Sequence, residues 1–215
     1  MILGIDTSSK NCSLALWHGQ QLLGSFDQVS EEFLHAEILH QEIEKLLKFA
    51  GVQFSDLVSV VVGSGPGSYT GLRIGVAAAK GLAMALNIPL FAVSGLQMML
   101  SQNTSEFQGP VLVVMDARRN EVFGAWRNLD GSLTAAEAII VDEEFARELS
   151  NSPLMVIGEN ASKLKSLLPD QTIFVDVLPS ILSVFQGSIE LGNPVDLAYF
   201  EPVYVKPFIP TVAKK

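Results

Sequence analysis

Two apolar periods alternate along the chain. Ile2-Leu3-Gly4-Ile5-Asp6 is a short apolar run closed by the polar turn Thr7-Ser8-Ser9-Lys10-Asn11. Cys12 to Trp17 then follows the two-residue period of a strand, and His18-Gly19-Gln20 turns the chain into a third extended stretch, Gln21 to Ser25. The period changes after that. Leu39, Ile43, Leu46, Leu47 and Ala50 recur at helical spacing, with Leu34 and Ile38 on the shoulder of the stripe, and predict a helix from Glu31 to Ala50. Ser30 is placed to cap it, Glu31 and Glu32 suit the positive end of its dipole, and Gly51 suits its stop. Val58 to Val62 is apolar throughout, the mark of a strand buried on both faces. It runs into Gly63-Ser64-Gly65-Pro66-Gly67 and then a second helix, Gly71 to Asn87. Leu90 to Val93 and Gly95 to Gln102 add another strand and another helix.

Three strands followed by alternating helices and strands is the order of a ribonuclease-H-like mixed sheet. The second half opens in the same way. Leu112-Val113-Val114-Met115-Asp116 echoes Ile2 to Asp6, a polar turn follows, and the next strand ends at Trp126 as the earlier one ends at Trp17. A Gly-containing turn, Leu129-Asp130-Gly131, comes next, and Leu154 to Gly158 echoes the strand ending at Gly63, with Glu159-Asn160 leading into a helix. The matched Asp and Trp positions argue for an internal duplication, and repeats of this length make two lobes rather than a solenoid. The expected fold is therefore α/β, two ribonuclease-H-like lobes facing each other across a cleft in the actin-like (ASKHA) ATPase architecture. The expected division is a first lobe at 1–103, a smaller second lobe at 104–195, and a segment at 196–215 that packs back on the first. That last segment carries Pro202, Pro207 and Pro210.

Composition narrows the surroundings. With 48% hydrophobic and 17% charged residues over 215, the chain has ample material for a core. Its longest apolar stretch, Ile74 to Leu86, falls short of the roughly 18 residues of a membrane helix and contains Lys80. No basic region precedes Ile2 to Ile5, so a signal peptide is not expected. Cys12 is the only cysteine, which excludes an intrachain disulfide and a cysteine-based zinc site. A cytoplasmic protein away from membranes fits these features. The net charge of −9, from 14 Lys and Arg against 23 Asp and Glu, is the wrong sign for a protein that grips nucleic acid unaided. If the chain works on RNA, another component does most of the holding.

Gly65-Pro66-Gly67-Ser68-Tyr69-Thr70-Gly71-Leu72-Arg73-Ile74-Gly75 is the most specific string present. It is a glycine-rich loop between a strand and a helix, where glycine permits positive φ and helix-start N–H groups face an anion. No Gly-Lys-Ser/Thr ends it, so it is not a P-loop, and the glycine after Gly65-x-Gly67 falls one position late for a dinucleotide fingerprint. No nucleophile elbow surrounds Ser64 or Ser68. Composition alone serves phosphate contact and a structural tight turn equally.

As a complete string it resembles the TsaB (YeaZ) family of bacterial tRNA threonylcarbamoyladenosine biosynthesis proteins. Ile2 to Ser8, His35-Ala36-Glu37-Ile38-Leu39, the run Met115-Asp116-Ala117-Arg118-Arg119-Asn120-Glu121-Val122-Phe123 and Pro202-Val203-Tyr204-Val205-Lys206 are similar to that family's other motifs, in order. Ser132 to Pro194 is weakly marked. The resemblance implies a scaffold without its own catalytic centre. It implies pairing with TsaD, the related subunit that transfers threonylcarbamoyl to the adenosine beside the anticodon, with the ATPase TsaE joining them. It further implies homodimers when the partner is absent, and tRNA met indirectly through the complex. The pairing surface is implied on the first-lobe helices, with Leu34, His35, Ile38, Leu72, Ile74, Gly75, Ala78 and Ala79 as candidate contacts. No cofactor of its own is implied, and ATP and Mg are left as options for the assembled complex.

The residues bear on the same question. TsaD-type relatives hold a metal with histidines soon after the strand equivalent to Leu90 to Val93, whereas here that place reads Ser94-Gly95-Leu96-Gln97-Met98-Met99. His35 and His40 are roughly 140° apart around a helix and make no ligand pair, so no metal centre is expected. Asp6, Thr7 and Ser8 stand where actin-like folds place a triphosphate, with Gly65, Gly67, Ser68, Thr70 and Arg73 supplying the loop and helix start nearby. In the second lobe Asp116 matches Asp6, but its turn carries Arg118 and Arg119 in place of the glycine and threonine of a phosphate hairpin. The two arginines suit an anion, whether nucleotide or RNA phosphate, and equally a salt bridge across the cleft. Gly71, Gly75, Ala79 and Ala83 recur every fourth residue, a face that admits another helix closely. The runner-up function is a self-sufficient ATPase or small-molecule kinase of the actin-like clan. A ribonuclease-H-type nuclease lacks the converging carboxylates, and a peptidase lacks a recognisable triad.

Overall fold

The computed structural model describes residues 1–30, 34–102, 107–149, 153–186 and 189–206. Its first sheet contains β1 (Ile2–Asp6), β2 (Asn11–His18), β3 (Gln21–Val29), β4 (Ser59–Gly65) and β5 (Leu90–Ser94), in the order β3-β2-β1-β4-β5. The second contains β6 (Val111–Asp116), β7 (Glu121–Trp126), β8 (Glu137–Ile140), β9 (Met155–Gly158) and β10 (Ile173–Asp176), in the order β10-β9-β6-β7-β8. Taken from its other edge, the second order repeats the first strand for strand. In both sheets the first three strands are antiparallel, and the fourth pairs parallel with the first. The echo extends to register, since Ile2 lies opposite Trp17 and Leu112 opposite Trp126. The chain is two ribonuclease-H-like lobes of the actin-like architecture.

The helices are α1 (His35–Phe49), α2 (Tyr69–Leu86), α3 (Gly95–Ser101), α4 (Glu143–Glu148) and α5 (Ser183–Gln186). Strand alternation splits the first sheet's side chains between two cores. Leu3, Ile5, Val60 and Val62 pack with Leu39 and Ile43 of α1 and Ala79 and Ala83 of α2. Ala15, Trp17, Val61 and Val93 face the other way, toward Met98, Ile181 and Val184. Helix α3 serves both lobes: Met98 joins this first-lobe core, while Leu96 and Met99 pack with Val111, Val113 and Ile157 of the second sheet. No helix among the described residues is long and apolar enough to cross a membrane.

Three local expectations are corrected. Helix α1 begins at His35, with Leu34 rather than Ser30 at its cap position. The Ser30 N–H donates to the Lys10 carbonyl at 3.1 Å, which continues the β2–β3 pairing instead of starting a helix. Glu31 and Glu32 lie outside the described residues. The first turns of the small-residue face of α2 meet the β1–β2 turn rather than a helix, while Ala79 and Ala83 further along pack into the core with Leu39 and Ile43 of α1. A Cβ at Gly71 would strike the Thr7 carbonyl oxygen and one at Gly75 the Thr7 hydroxyl, so α2 uses that face to lie directly on the β1–β2 turn. Finally, Pro179 to Gln186, assigned above to the second lobe, returns to the first. Asn11 Nδ2 donates to the Pro179 carbonyl at 3.2 Å, the Ile181 N–H to Ser13 Oγ at 2.9 Å, and Ile181 and Val184 cover Trp17. The cause is the apolar second face of the first sheet, which the short α3 covers only in part.

The following segment runs along the first lobe. The Val195 N–H donates to the Leu90 carbonyl, Lys80 Nζ to the Phe200 carbonyl, and the Val203 N–H to the Ser64 carbonyl. Pro207 and Pro210 lie outside the described residues.

Candidate functional site

Because the lobes repeat one topology, each presents the same two turns at one end of its sheet: the turn after the first strand and the turn after the fourth. The four turns face one another around a cleft of about 660 Å³. Ser8, Ser9 and Lys10 come from the β1–β2 turn, and Gly67, Ser68, Tyr69 and Thr70 from the start of α2. Asp116, Ala117 and Arg118 come from the β6–β7 turn, and Glu159 and Asn160 from the turn after β9; Phe123 completes the wall.

Of the expected nucleotide or anion residues, Ser8, Gly67, Ser68, Thr70, Asp116 and Arg118 line this cleft, whereas Asp6, Thr7, Gly65, Arg73 and Arg119 do not. Asp6 is 0% exposed. Ser8 Oγ donates to its Oδ2 at 3.0 Å and the Ser8 N–H at 3.4 Å. Its Oδ1 lies where a Cβ on Gly63 would be and accepts no hydrogen bond among the described residues. Burial pushes this carboxyl up to about 7, against the lowering effect of the Ser8 hydrogen bonds. The Ser68 N–H donates to the Ser8 carbonyl at 2.7 Å and closes the glycine-rich loop down on the β1–β2 turn. Thr7 is also interior, its hydroxyl donating to the Gly71 carbonyl at 2.7 Å. At Gly65 the backbone takes φ +100°, and a Cβ there would meet Leu72 and the Val203 carbonyl, so the turn and the returning C-terminal segment both require glycine.

The second lobe consumes its matching carboxylate differently. Asp116 accepts the Arg118 N–H at 2.7 Å and Asn160 Nδ2 at 3.1 Å, and pairs with Lys163. Burial alone would raise its pKa, but the Lys163 ammonium, the Arg118 N–H and the Asn160 amide together hold it below the usual carboxylate value. Glu159 is raised, first by burial and then by the nearby Asp116 charge. The residues present do not fit a magnesium–triphosphate clamp, because one lobe encloses its carboxylate and the other saturates it with a lysine. Among the described residues, no three His, Cys, Asp or Glu side chains converge on a common point suited to a metal.

Arg118 and Arg119 both adopt left-handed backbone, φ 73° and 52°. Each such residue costs roughly 1–2 kcal/mol when it is not glycine. Two main-chain hydrogen bonds hold the turn: the Ala117 N–H donates to the Glu121 carbonyl and the Glu121 N–H to the Arg118 carbonyl. Arg73 stands outside the cleft on a small stack. Its guanidinium lies 4.2 Å from the Tyr69 ring centre, its Nε donates to the Tyr204 hydroxyl at 3.1 Å, and the Tyr69 and Tyr204 rings are 5.0 Å apart. Lys206, two residues beyond Tyr204, pairs with Glu121 and so joins the C-terminal segment to the second lobe.

A second concavity, about 500 Å³, lies on the first lobe between α1 and α2 and is lined by Ala36, His40, Ile74, Ala77, Ala78, Gly81 and Leu82. Of the expected partner contacts, Ile74 and Ala78 line it, and Leu34 and Ile38 are half-buried. Leu72, Gly75 and Ala79 point inward. So does His35, whose Nε2–H donates to the Ser9 carbonyl at 2.8 Å. Burial lowers the His35 pKa against that bond, which makes it a neutral brace for the β1–β2 turn rather than a contact residue.

Ser9, Lys10, Tyr69, Phe123, Glu159, Asn160 and Lys163 were not singled out from sequence. The duplication held a signal for two of them: mapping the glycine-rich loop onto its counterpart in the second half leads to Glu159 and Asn160.

A family model described as TsaD, tRNA N6-adenosine threonylcarbamoyltransferase, matches residues 31–177. The chain is 33% identical over 178 residues to the tRNA threonylcarbamoyladenosine biosynthesis protein TsaB of Bacillus subtilis (strain 168), covering 79% of this chain and 75% of that protein. It is 27% identical over 225 residues to the TsaB protein of Escherichia coli (strain K12), covering 95% and 94%. Among solved structures, YeaZ from Pseudomonas aeruginosa aligns with TM-score 0.76 at 28% identity, over 94% of this chain and 98% of that one.

Proposed function

The chain belongs to the TsaB (YeaZ) family of tRNA threonylcarbamoyladenosine biosynthesis proteins, and on that premise we propose that it is the non-catalytic scaffold of the modifying complex. In this reading it binds TsaD, the subunit that transfers threonylcarbamoyl to the tRNA adenosine beside the anticodon, together with the ATPase TsaE. It carries no cofactor and acts in the cytoplasm. The observation that supports the reading most is the apolar groove between α1 and α2. Its exposed positions Ala77 and Gly81 are small enough for a partner helix to approach the backbone, and Ile74 and Leu82 offer apolar anchors beside them. The same groove would join two copies of the chain when TsaD is absent.

The test is reconstituted threonylcarbamoylation of unmodified tRNA with TsaD, TsaE, threonine, bicarbonate and ATP, comparing wild type with Ala77→Arg. The expected result is activity that requires this chain, survives Asp6→Asn, and is lost together with TsaD capture in Ala77→Arg. Activity that does not depend on the chain, or ATP turnover by the chain alone, would overturn the scaffold reading and favour the actin-like ATPase or kinase.

A further inference from the structure

Accepting a role in tRNA modification, we propose that the β6–β7 turn touches the phosphodiester backbone of tRNA directly, through Arg118 at the cleft wall and its neighbour Arg119, with Tyr69 of the cleft and Arg73 stacked on it continuing the track. This goes beyond a scaffold that meets RNA only through its partners.

The turn that presents the arginines is strained and held in place. Two consecutive non-glycine residues occupy left-handed backbone, and the Asp116 carboxylate and two main-chain hydrogen bonds fix them there. Asparagine or glycine would adopt this backbone with less strain, so the side chains at these positions need a reason other than the turn. Neither guanidinium makes a hydrogen bond or an ion pair among the described residues. That is unusual in a chain of net charge −9, where carboxylates are plentiful. The two acids closest in sequence are already engaged, Asp116 with Lys163 and Glu121 with Lys206, and Glu159, the other carboxylate of the cleft, makes no ion pair with either arginine among the described residues. An unpaired arginine at the mouth of a hydroxyl-bearing cleft is suited to phosphate oxygens, which it meets in a bidentate fork.

The extent of the surface separates a strand from a free mononucleotide. A mononucleotide would be contained within about 660 Å³, with Ser8, Ser68 and Thr70 around it. The cationic and aromatic surface continues past the cleft wall, because Tyr69 carries Arg73 on its face and Tyr204 against its side. Aromatic rings interleaved with a guanidinium beside a basic turn form a platform for successive bases and phosphates of a polynucleotide.

The experiment measures binding of fluorescently labelled, unmodified tRNA to the complex of this chain with TsaD, by anisotropy, across about 50 to 200 mM salt. Wild type is compared with the double variant Arg118→Ala/Arg119→Ala. The expected result is TsaD capture equal to wild type, tRNA affinity lower by roughly tenfold, and a salt dependence shallower by about 1.4 to 1.8 in log–log slope for two lost phosphate contacts. A second double variant, Arg118→Gly/Arg119→Gly, is expected to lose the same affinity while melting several degrees higher, since glycine relieves the backbone. Unchanged affinity and slope would overturn the proposal. So would loss of TsaD capture with RNA affinity intact, which would make the turn a protein contact, or displacement of the tRNA by Mg-ATP, which would make the cleft a small-molecule site. If wild type fails to assemble with TsaD, the scaffold reading fails by itself. The same comparison is then made on the chain alone, where a loss of tRNA binding in the variants supports the contact and no change overturns it.

Discussion

Gly81 sits in the interior of α2 and lines the α1–α2 groove, and nothing lies within 4 Å of where its Cβ would be. Glycine at an exposed helix interior costs about 0.8 to 1 kcal/mol relative to alanine, because the unfolded chain gains backbone freedom and the helix gains no contacts. Gly81→Ala is therefore expected to stabilise the isolated protein by about 0.8 to 1 kcal/mol, a rise in melting temperature of about 2 °C for a chain of this length. Gly81→Leu should keep most of that gain, since leucine is nearly as good a helix former, while placing an isobutyl group across the groove. If the glycine preserves room for a partner, stability and association move in opposite directions. Thermal denaturation of the isolated chain reads the first, and titration against TsaD the second, with at least tenfold weaker binding expected for the leucine variant. A leucine variant that is more stable and still binds TsaD as tightly as wild type would refute the reasoning, since the open space would then serve no contact.

Other perturbations test the interior. Asp6 has its pKa raised to about 7 by burial, so the folded state favours its protonated form, and stability falls as pH rises from the unfolded value near 4 through about 7. Asp6→Asn should be the more stable protein at pH 8, by up to roughly 4 kcal/mol, with the gap closing by pH 4; parallel urea midpoints across that range would contradict it. Asp116 shifts the other way. Its lowered pKa adds stability above the ordinary carboxylate range, and that stability is lost as pH falls through the folded value. Lys163→Met should thus cost about 1 kcal/mol at pH 7 for this partly exposed pair and lose less than wild type on acidification to pH 3, as followed by urea midpoints. A Cβ at Gly4 would sit 2.6 Å from both the Trp17 ring and Ile181, so Gly4→Ala should destabilise by roughly 1–3 kcal/mol in chemical denaturation, through overpacking of that face.

Sequence patterning located the strands well where alternation and turns reinforced each other. Ile2–Asp6 and Leu90–Ser94 fall where expected, and the Asp and Trp echoes point to the duplication that the two sheet orders display. Half of the cleft was legible for the same reason, because a turn after a first strand is a local feature. What a helix face meets is not local. Gly71 and Gly75 show the same periodicity whether a partner helix or the protein's own Thr7 lies opposite, and the structure places Thr7 there. A Gly75→Arg substitution, which periodicity alone would offer as an interface probe, would instead strike at the fold. His35 sits on the helix that bears the groove, yet it turns inward to a carbonyl on a distant turn. Lys163 reaches Asp116 across 47 residues, and no spacing rule connects them.

The return of Pro179 to Gln186 onto the first sheet has a consequence for biosynthesis. Trp17, Ala15 and Val61 belong to strands of the first sheet, but Ile181 and Val184, which cover them, are synthesised much later, Ile181 lying 168 residues after Ser13, to which its N–H donates. During translation the amino-terminal sheet can form its α1 and α2 face early, yet its other face is not fully covered until the distant residues Ile181 and Val184 have been made. The second lobe is strung between the two halves of the first lobe's core. A protein truncated before Pro179 therefore loses part of the first lobe rather than only the second.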